Sequence, residues 1–93
     1  ILHPSLDAIV LVPLCPHTLS SRPIVVKSDS NVRIHISDSN YTIPQISHDG
    51  QRRIPVPIGA DITVTRHSKT FTLIHPKNYN YFYTLSTKLH WKG

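Results

Sequence analysis

The chain has 93 residues, of which 39% are hydrophobic and 16% are charged, and its formal net charge is +5. This length allows one domain, the composition excludes a disordered chain, and the single cysteine excludes an internal disulfide. No apolar run approaches the roughly 20 residues of a membrane span, and the excess of Lys and Arg favours anionic partners such as phosphates and nucleotides.

Strand patterns dominate the first half of the chain. Residues 8–12 form a continuous apolar run that ends at a proline, which predicts a buried strand. Residues 23–26 predict a second, shorter strand. Residues 31–37 alternate between apolar and polar side chains, so the pattern places Arg33 and His35 together on the polar face.

The second half adds a hairpin and further strands. Residues 41–48 predict a strand that an internal proline weakens. Asp49-Gly50 is a strong signal for a tight turn between extended segments. Residues 62–64 alternate as a strand does, and residues 71–74 predict the last strand of the chain.

The final segment changes to helical spacing. Phe82, Leu85 and Leu89 lie on one side of a helix predicted over residues 78–89, with Asn78 as its N-cap. The aromatic residues of this segment are also compatible with a strand. About seven short strands at this spacing predict an all-β domain, a β-sandwich of stacked sheets with a C-terminal helix or arm packed on it.

The residue types of a catalytic or metal site do not occur at the spacing that these sites need. Cys15 and His17 would share a face on a strand, but Pro16 between them favours a turn, and a thiolate needs an activating base. No two of the seven histidines lie three to five residues apart, which argues against a metal site held by this chain alone. The five aspartates are scattered and there is no Glu, which argues against paired-carboxylate chemistry.

Nucleic-acid binding would need basic residues interleaved with aromatic residues on one face. Arg52 and Arg53 are far in sequence from the aromatic cluster of residues 79–83, so we expect no nucleic-acid partner. The cluster predicts packing in a core or an interface. The two arginines could meet a phosphate, or they could form a solvated arm of the hairpin.

Three segments of the sequence together resemble the NAD kinase family. They are HPSLDAIVLVPLCPHTLSSRPI (residues 3–24), the Asp49-Gly50-Gln51 turn, and IHPKNYNYFYTLSTKLHW (residues 74–91). The match covers essentially the whole chain and is most similar to the enzymes of enteric-type bacteria. The chain begins with Ile1 and contains no Met, which predicts that it is a piece of a longer polypeptide.

The resemblance implies an enzyme that phosphorylates the 2′-hydroxyl of the adenosine ribose of NAD, with ATP (or in some members polyphosphate) and a divalent metal, Mg²⁺. It also implies a cytoplasmic homodimer or homotetramer with an N-terminal α/β domain and a C-terminal all-β domain of stacked sheets. Residues 1–93 resemble the C-terminal domain only. The family's G-G-D-G motif, whose Asp acts as the base, is missing, so we expect this chain to contribute NAD and subunit contacts and to be inactive alone.

The resemblance assigns one substrate contact. Gln51 matches the family's glutamine that contacts NAD, and Asp49 and Gly50 would set the turn that presents it. His17 and Arg22 belong to a family segment and are expected to have structural roles, Arg22 by binding backbone carbonyls or a carboxylate. Two other interpretations stay open: a non-catalytic module that binds nucleotides or other anions, and a domain that serves only assembly.

Overall fold

The computed structural model describes residues 1–14, 21–38 and 42–91. Within these ranges the chain forms six short strands followed by one helix. The elements are β1 (Ala8–Leu11), β2 (Ile24–Lys27), β3 (Val32–His35), β4 (Gln45–His48), β5 (Arg52–Pro55), β6 (Asp61–Val64) and α1 (Tyr81–Lys88).

The strands pair antiparallel in three ladders, β1 with β2, β3 with β6, and β4 with β5. In the sequence, the β4–β5 hairpin therefore lies between β3 and β6, which pair directly with each other. Residues of β1 and β3, among them Val10, Leu11, Val32 and Ile34, line a common open groove of about 600 Å³. The predicted all-β, sandwich-like class with a short C-terminal helix is confirmed.

Five of the six strands form where the sequence pattern predicts them; β1, β3 and β4 are shorter than predicted, whereas β2 and β6 are not. Most of their apolar members are the β-branched residues Val and Ile, which suit a pleated, half-buried surface. The strand predicted over residues 41–48 begins only at Gln45, directly after Pro44, which has no N–H to donate to a ladder. Pro55 stands at the last position of β5.

The prediction of a strand over residues 71–74 is wrong. The segment has strand-forming residues, but no strand of the described chain pairs with it. A strand needs a neighbour for its backbone hydrogen bonds, and the local sequence pattern does not supply one.

The helix is confirmed, but its predicted N-cap is wrong. Asn80, not Asn78, caps it: the Asn80 Oδ1 accepts a hydrogen bond from the Tyr83 N–H at 3.0 Å, and the helix starts at Tyr81. Within the described residues, no helix is long and apolar enough to cross a membrane.

The core of the described chain is small. Val56 is its one buried apolar residue, at 7% exposure, and Ser28 is its one buried polar residue, at 9%. The Ser28 hydroxyl accepts a hydrogen bond at 3.0 Å from Nη1 of Arg66, which joins the end of β2 to the segment after β6. Twenty large apolar residues stay exposed, so most of the apolar surface has no cover within the described chain.

Candidate functional site

The predicted substrate-contact residues lie at the tip of the β4–β5 hairpin. Asp49 has φ 51° and Gly50 has φ 67°, and the Gln51 N–H donates to the His48 carbonyl at 3.1 Å. Two consecutive positive φ values are the signature of a type I′ turn, which Asp-Gly favours because Gly has no Cβ and Asp tolerates the left-handed region. The turn predicted from sequence is confirmed.

Gln51 is the last residue of this loop. The strand register pairs His48 with Arg52, so Gln51 itself has no partner across the ladder. The residue is exposed, and its carboxamide makes no hydrogen bond to any residue in the described ranges. Two N–H donors and one carbonyl acceptor are thus free for a ligand.

The turn sets the backbone position from which Gln51 extends. A Cβ placed on Gly50 would meet no atom within 4 Å, so the demand for glycine comes from the positive φ and not from crowding. Asp49 is also exposed and adds one carboxylate beside Gln51. The three predicted residues, which are consecutive in the sequence, thus form an exposed turn with free polar side chains.

The basic residues beside the turn do not converge. His48 and Arg52 are cross-strand partners and lie on one face of the hairpin, whereas Arg53 lies opposite Ser47 on the other face. The side chains of Arg52 and Arg53 consequently point to opposite sides of the ladder. This arrangement disfavours a single phosphate site built from both arginines.

A second polar cluster, which the sequence analysis missed, lies on the β3–β6 ladder. Asp61 accepts a hydrogen bond from Nη2 of Arg33 at 2.8 Å and another from Nδ1 of His35 at 2.7 Å. The bond from His35 and then the bond from Arg33 lower the pKa of the Asp61 carboxyl below its ordinary value. Alternation had placed Arg33 and His35 on one face, but only the strand pairing identifies their common acceptor.

An aromatic pocket lies between the start of the chain and its C-terminal segment. The pocket has a volume of about 350 Å³. Tyr79 stacks on His75 with ring centroids 3.8 Å apart, and Tyr81 meets His3 edge to face at 4.6 Å. Neither tyrosine is buried by these contacts, so the core or interface role predicted for the cluster stays a prediction.

Other predicted residues do not join a site. Cys15 and His17 lie outside the described residues. Arg22 is exposed and makes no hydrogen bond or ion pair within the described ranges, so the predicted contact with a carbonyl or carboxylate is not present there. In the same part of the chain, no group of three or more His, Cys, Asp or Glu side chains is placed to hold a metal ion.

A family model and individual proteins of similar sequence identify the same family for this chain. Residues 1–76 match the family model described as ATP-NAD kinase C-terminal domain. The protein named NAD kinase of Chromohalobacter salexigens is 52% identical over 100% of this chain and 32% of its own length. Those of Photorhabdus laumondii and Erwinia tasmaniensis are each 50% identical over 98% of this chain and 31% of their own length. The chain therefore spans about a third of the length of the curated relatives it matches.

Proposed function

Because the chain belongs to the NAD kinase family, in its ATP-NAD kinase C-terminal domain, we propose that it is part of an enzyme that phosphorylates the 2′-hydroxyl of the adenosine ribose of NAD with ATP to give NADP. Residues 1–93 form the all-β C-terminal domain of this cytoplasmic enzyme. The domain supplies contacts to NAD and contacts between the subunits of a homo-oligomer.

The observation that supports the substrate assignment is the free carboxamide of Gln51 beside the Asp49-Gly50 turn. An amide can donate to a ribose oxygen or a ring nitrogen and can accept from a hydroxyl or an exocyclic amine. Asp49 and Gly50 form this turn and are part of the proposed site.

The described residues do not fit the family's divalent metal. Phosphoryl transfer would draw on Mg²⁺ to neutralise phosphate charge, and Mg²⁺ binds clustered oxygen ligands. No such cluster exists in the described ranges, and the Asp61 carboxylate is already bonded to Arg33 and His35. The proposed role of this domain is therefore to bind and orient NAD, and no step through the metal is assigned to it.

The role of Gln51 is tested by titrating NAD into the isotope-labelled chain and following amide chemical shifts. Replacing Gln51→Ala removes the carboxamide but leaves the turn, so we expect the dissociation constant for NAD to rise about five-fold, the worth of one hydrogen bond. Gln45→Ala is the matched control, because Gln45 is also an exposed glutamine of this hairpin and lies at the far end of β4.

Two outcomes would contradict the assignment. One is an equal loss of affinity in the Gln51→Ala and Gln45→Ala variants. The other is NAD binding that leaves the amide shifts of residues 48–52 unchanged in the unsubstituted chain. Adenosine and nicotinamide mononucleotide, titrated separately, then show which half of NAD the turn contacts.

A further inference from the structure

One face of the β4–β5 hairpin presents nitrogen donors without a partner, directly beside the Asp49-Gly50 turn. His48 and Arg52 are cross-strand partners, so both side chains extend from this face, and both are exposed. Within residues 1–14, 21–38 and 42–91, neither side chain makes a hydrogen bond or an ion pair. The imidazole and the guanidinium therefore have N–H groups that are free for a ligand.

The nearest carboxylate in the sequence does not neutralise these donors. Asp49 follows His48 directly, but it forms no ion pair with His48 or Arg52 in the described structure. Arg33, by contrast, is bonded to the carboxylate of Asp61 at 2.8 Å. The charge of Arg52 is thus available to an external anion. The planar fork of a guanidinium matches the oxygens of a phosphate group better than any other side chain does.

An apolar pair follows on the same face of the hairpin. Ile46 and Ile54 are cross-strand partners, and each lies two residues further from the turn than His48 or Arg52. Side chains two residues apart on a strand share a face and are separated by about 7 Å along it. Ile54 is 47% exposed, so a ligand can reach it. From the turn inward, the hairpin therefore offers the Gln51 carboxamide, two nitrogen donors and an apolar patch.

This order of side-chain chemistry matches a dinucleotide. NAD consists of two nucleosides joined by a diphosphate, so its charged group lies between two groups that carry rings. On the hairpin, the donors of His48 and Arg52 likewise lie between a carboxamide and an apolar pair. A binding site for a small molecule combines apolar surface with a few well-placed polar groups in this way. An acidic side chain of a protein would occupy the donors but would leave the apolar pair uncovered.

We propose that His48 and Arg52 bind the diphosphate of NAD. One ring of NAD then lies against Ile46 and Ile54. This inference rests on the proposed function and extends the NAD contact from Gln51 to the adjoining face of the hairpin. Cross-strand partners have Cα atoms about 4.5–5.5 Å apart, so two side chains that start this close can reach oxygens of the same diphosphate. The net charge of +5 also favours an anionic ligand.

Arg53 supplies a matched control for Arg52. It is the next residue of β5 and is also exposed and without a partner in the described ranges, but it lies on the opposite face. Arg52→Gln and Arg53→Gln remove the same charge, so they weaken non-specific attraction of an anion equally. In the amide-shift titration, we expect the dissociation constant for NAD to rise about tenfold in Arg52→Gln, because a charge-assisted hydrogen bond is lost. We expect a rise of less than about twofold in Arg53→Gln.

Ligands that contain only part of NAD separate the diphosphate site from the Gln51 contact. Inorganic diphosphate has no ring, so we expect Arg52→Gln to weaken its binding and Gln51→Ala to leave its binding unchanged. Adenosine has no phosphate, so we expect Arg52→Gln to leave its affinity unchanged. The methyl resonances of Ile54 report the ring contact: we expect NAD to shift them through its ring current and inorganic diphosphate to leave them in place.

The outcomes distinguish this inference from the proposed function. Equal losses of NAD affinity in Arg52→Gln and Arg53→Gln would overturn the diphosphate site, and a loss in Gln51→Ala alongside them would leave the Gln51 contact standing. A selective loss in Arg52→Gln without any loss in Gln51→Ala would support the diphosphate site and contradict the Gln51 contact. NAD binding that leaves the Ile54 methyl resonances in place would overturn the ring contact. Inorganic diphosphate bound by a chain that does not bind NAD would overturn both proposals.

Discussion

Asp61 accepts hydrogen bonds from two residues of the facing strand. His35 is its direct cross-strand partner and Arg33 lies two residues away on the same face, so the carboxylate receives a hydrogen bond on each oxygen. All three side chains are at least partly exposed to solvent, and exposed ion pairs contribute little to stability. We therefore expect the cluster to affect mainly the pH dependence of folding.

The pKa of Asp61 is lower in the folded chain than in the unfolded chain, mainly through the hydrogen bond from His35. Its stabilising effect is therefore present above the unfolded pKa of about 4 and is lost as the pH falls through the lowered folded pKa. We expect Asp61→Asn to flatten the fall in the free energy of unfolding below about pH 4, as measured by urea denaturation at several pH values. Asp38→Asn is the control, and an equal flattening by both would contradict the role of the cluster.

At the scale of elements, the end of helix α1 is capped by its own backbone. The Trp91 N–H donates to the Ser86 carbonyl at 2.9 Å, and the His90 N–H donates to the Thr87 carbonyl at 3.3 Å. This pair of bonds is a Schellman motif, which needs a residue in the left-handed region directly after the C-cap. His90 fills that position with φ 55°, where a residue with a Cβ is strained.

Replacing His90→Gly should relieve this strain. We expect the free energy of unfolding to rise by about 0.5–1 kcal/mol. The relief of strain in the folded chain is partly offset because Gly has more conformational freedom in the unfolded chain. Urea denaturation followed by far-ultraviolet circular dichroism measures the change. His90→Ala is the control because it retains the Cβ, and a gain of the same size in that variant would show that the backbone angle is not the cause.

On the scale of the whole molecule, the chain is extended. Its radius of gyration is 17.4 Å, against about 12 Å for a compact domain of this length. Three separate two-stranded ladders bury little between them, and isolated two-stranded ladders are marginal. The exposed apolar surface, which includes Phe71 and Ile74, indicates that this molecule reaches its stable form against another surface.

The functional residues that the structure places together predict that this chain alone has no NAD kinase activity. The described residues hold a candidate NAD contact but no clustered metal ligands, and the carboxylate of Asp61 is bonded to two basic side chains. Phosphoryl transfer without positioned metal and charge stabilisation is slow. We expect no NADP from NAD, ATP and Mg²⁺ above a blank without protein, and formation of NADP by the purified chain would contradict this.

The local sequence alone predicted several features of this protein: a turn, a strand and the family. The Asp49-Gly50 pair predicted a tight turn, because few other residues accept two positive φ values in succession. Period-two alternation predicted the β3 strand and the common face of Arg33 and His35. The three family segments predicted the NAD kinase family, which the comparisons confirmed. The contact between Gln51 and NAD stays a prediction.

The tertiary structure decided what depends on residues far apart in the sequence. The β3–β6 pairing spans the inserted hairpin and joins His35 to Asp61, 26 residues apart. The segment 71–74 has the residues of a strand and no ladder, since backbone pairing needs a second edge that local propensity does not provide. The physical reason is the same in both cases: the residues set conformation and face, whereas a hydrogen-bonded partner is chosen by the path of the whole chain.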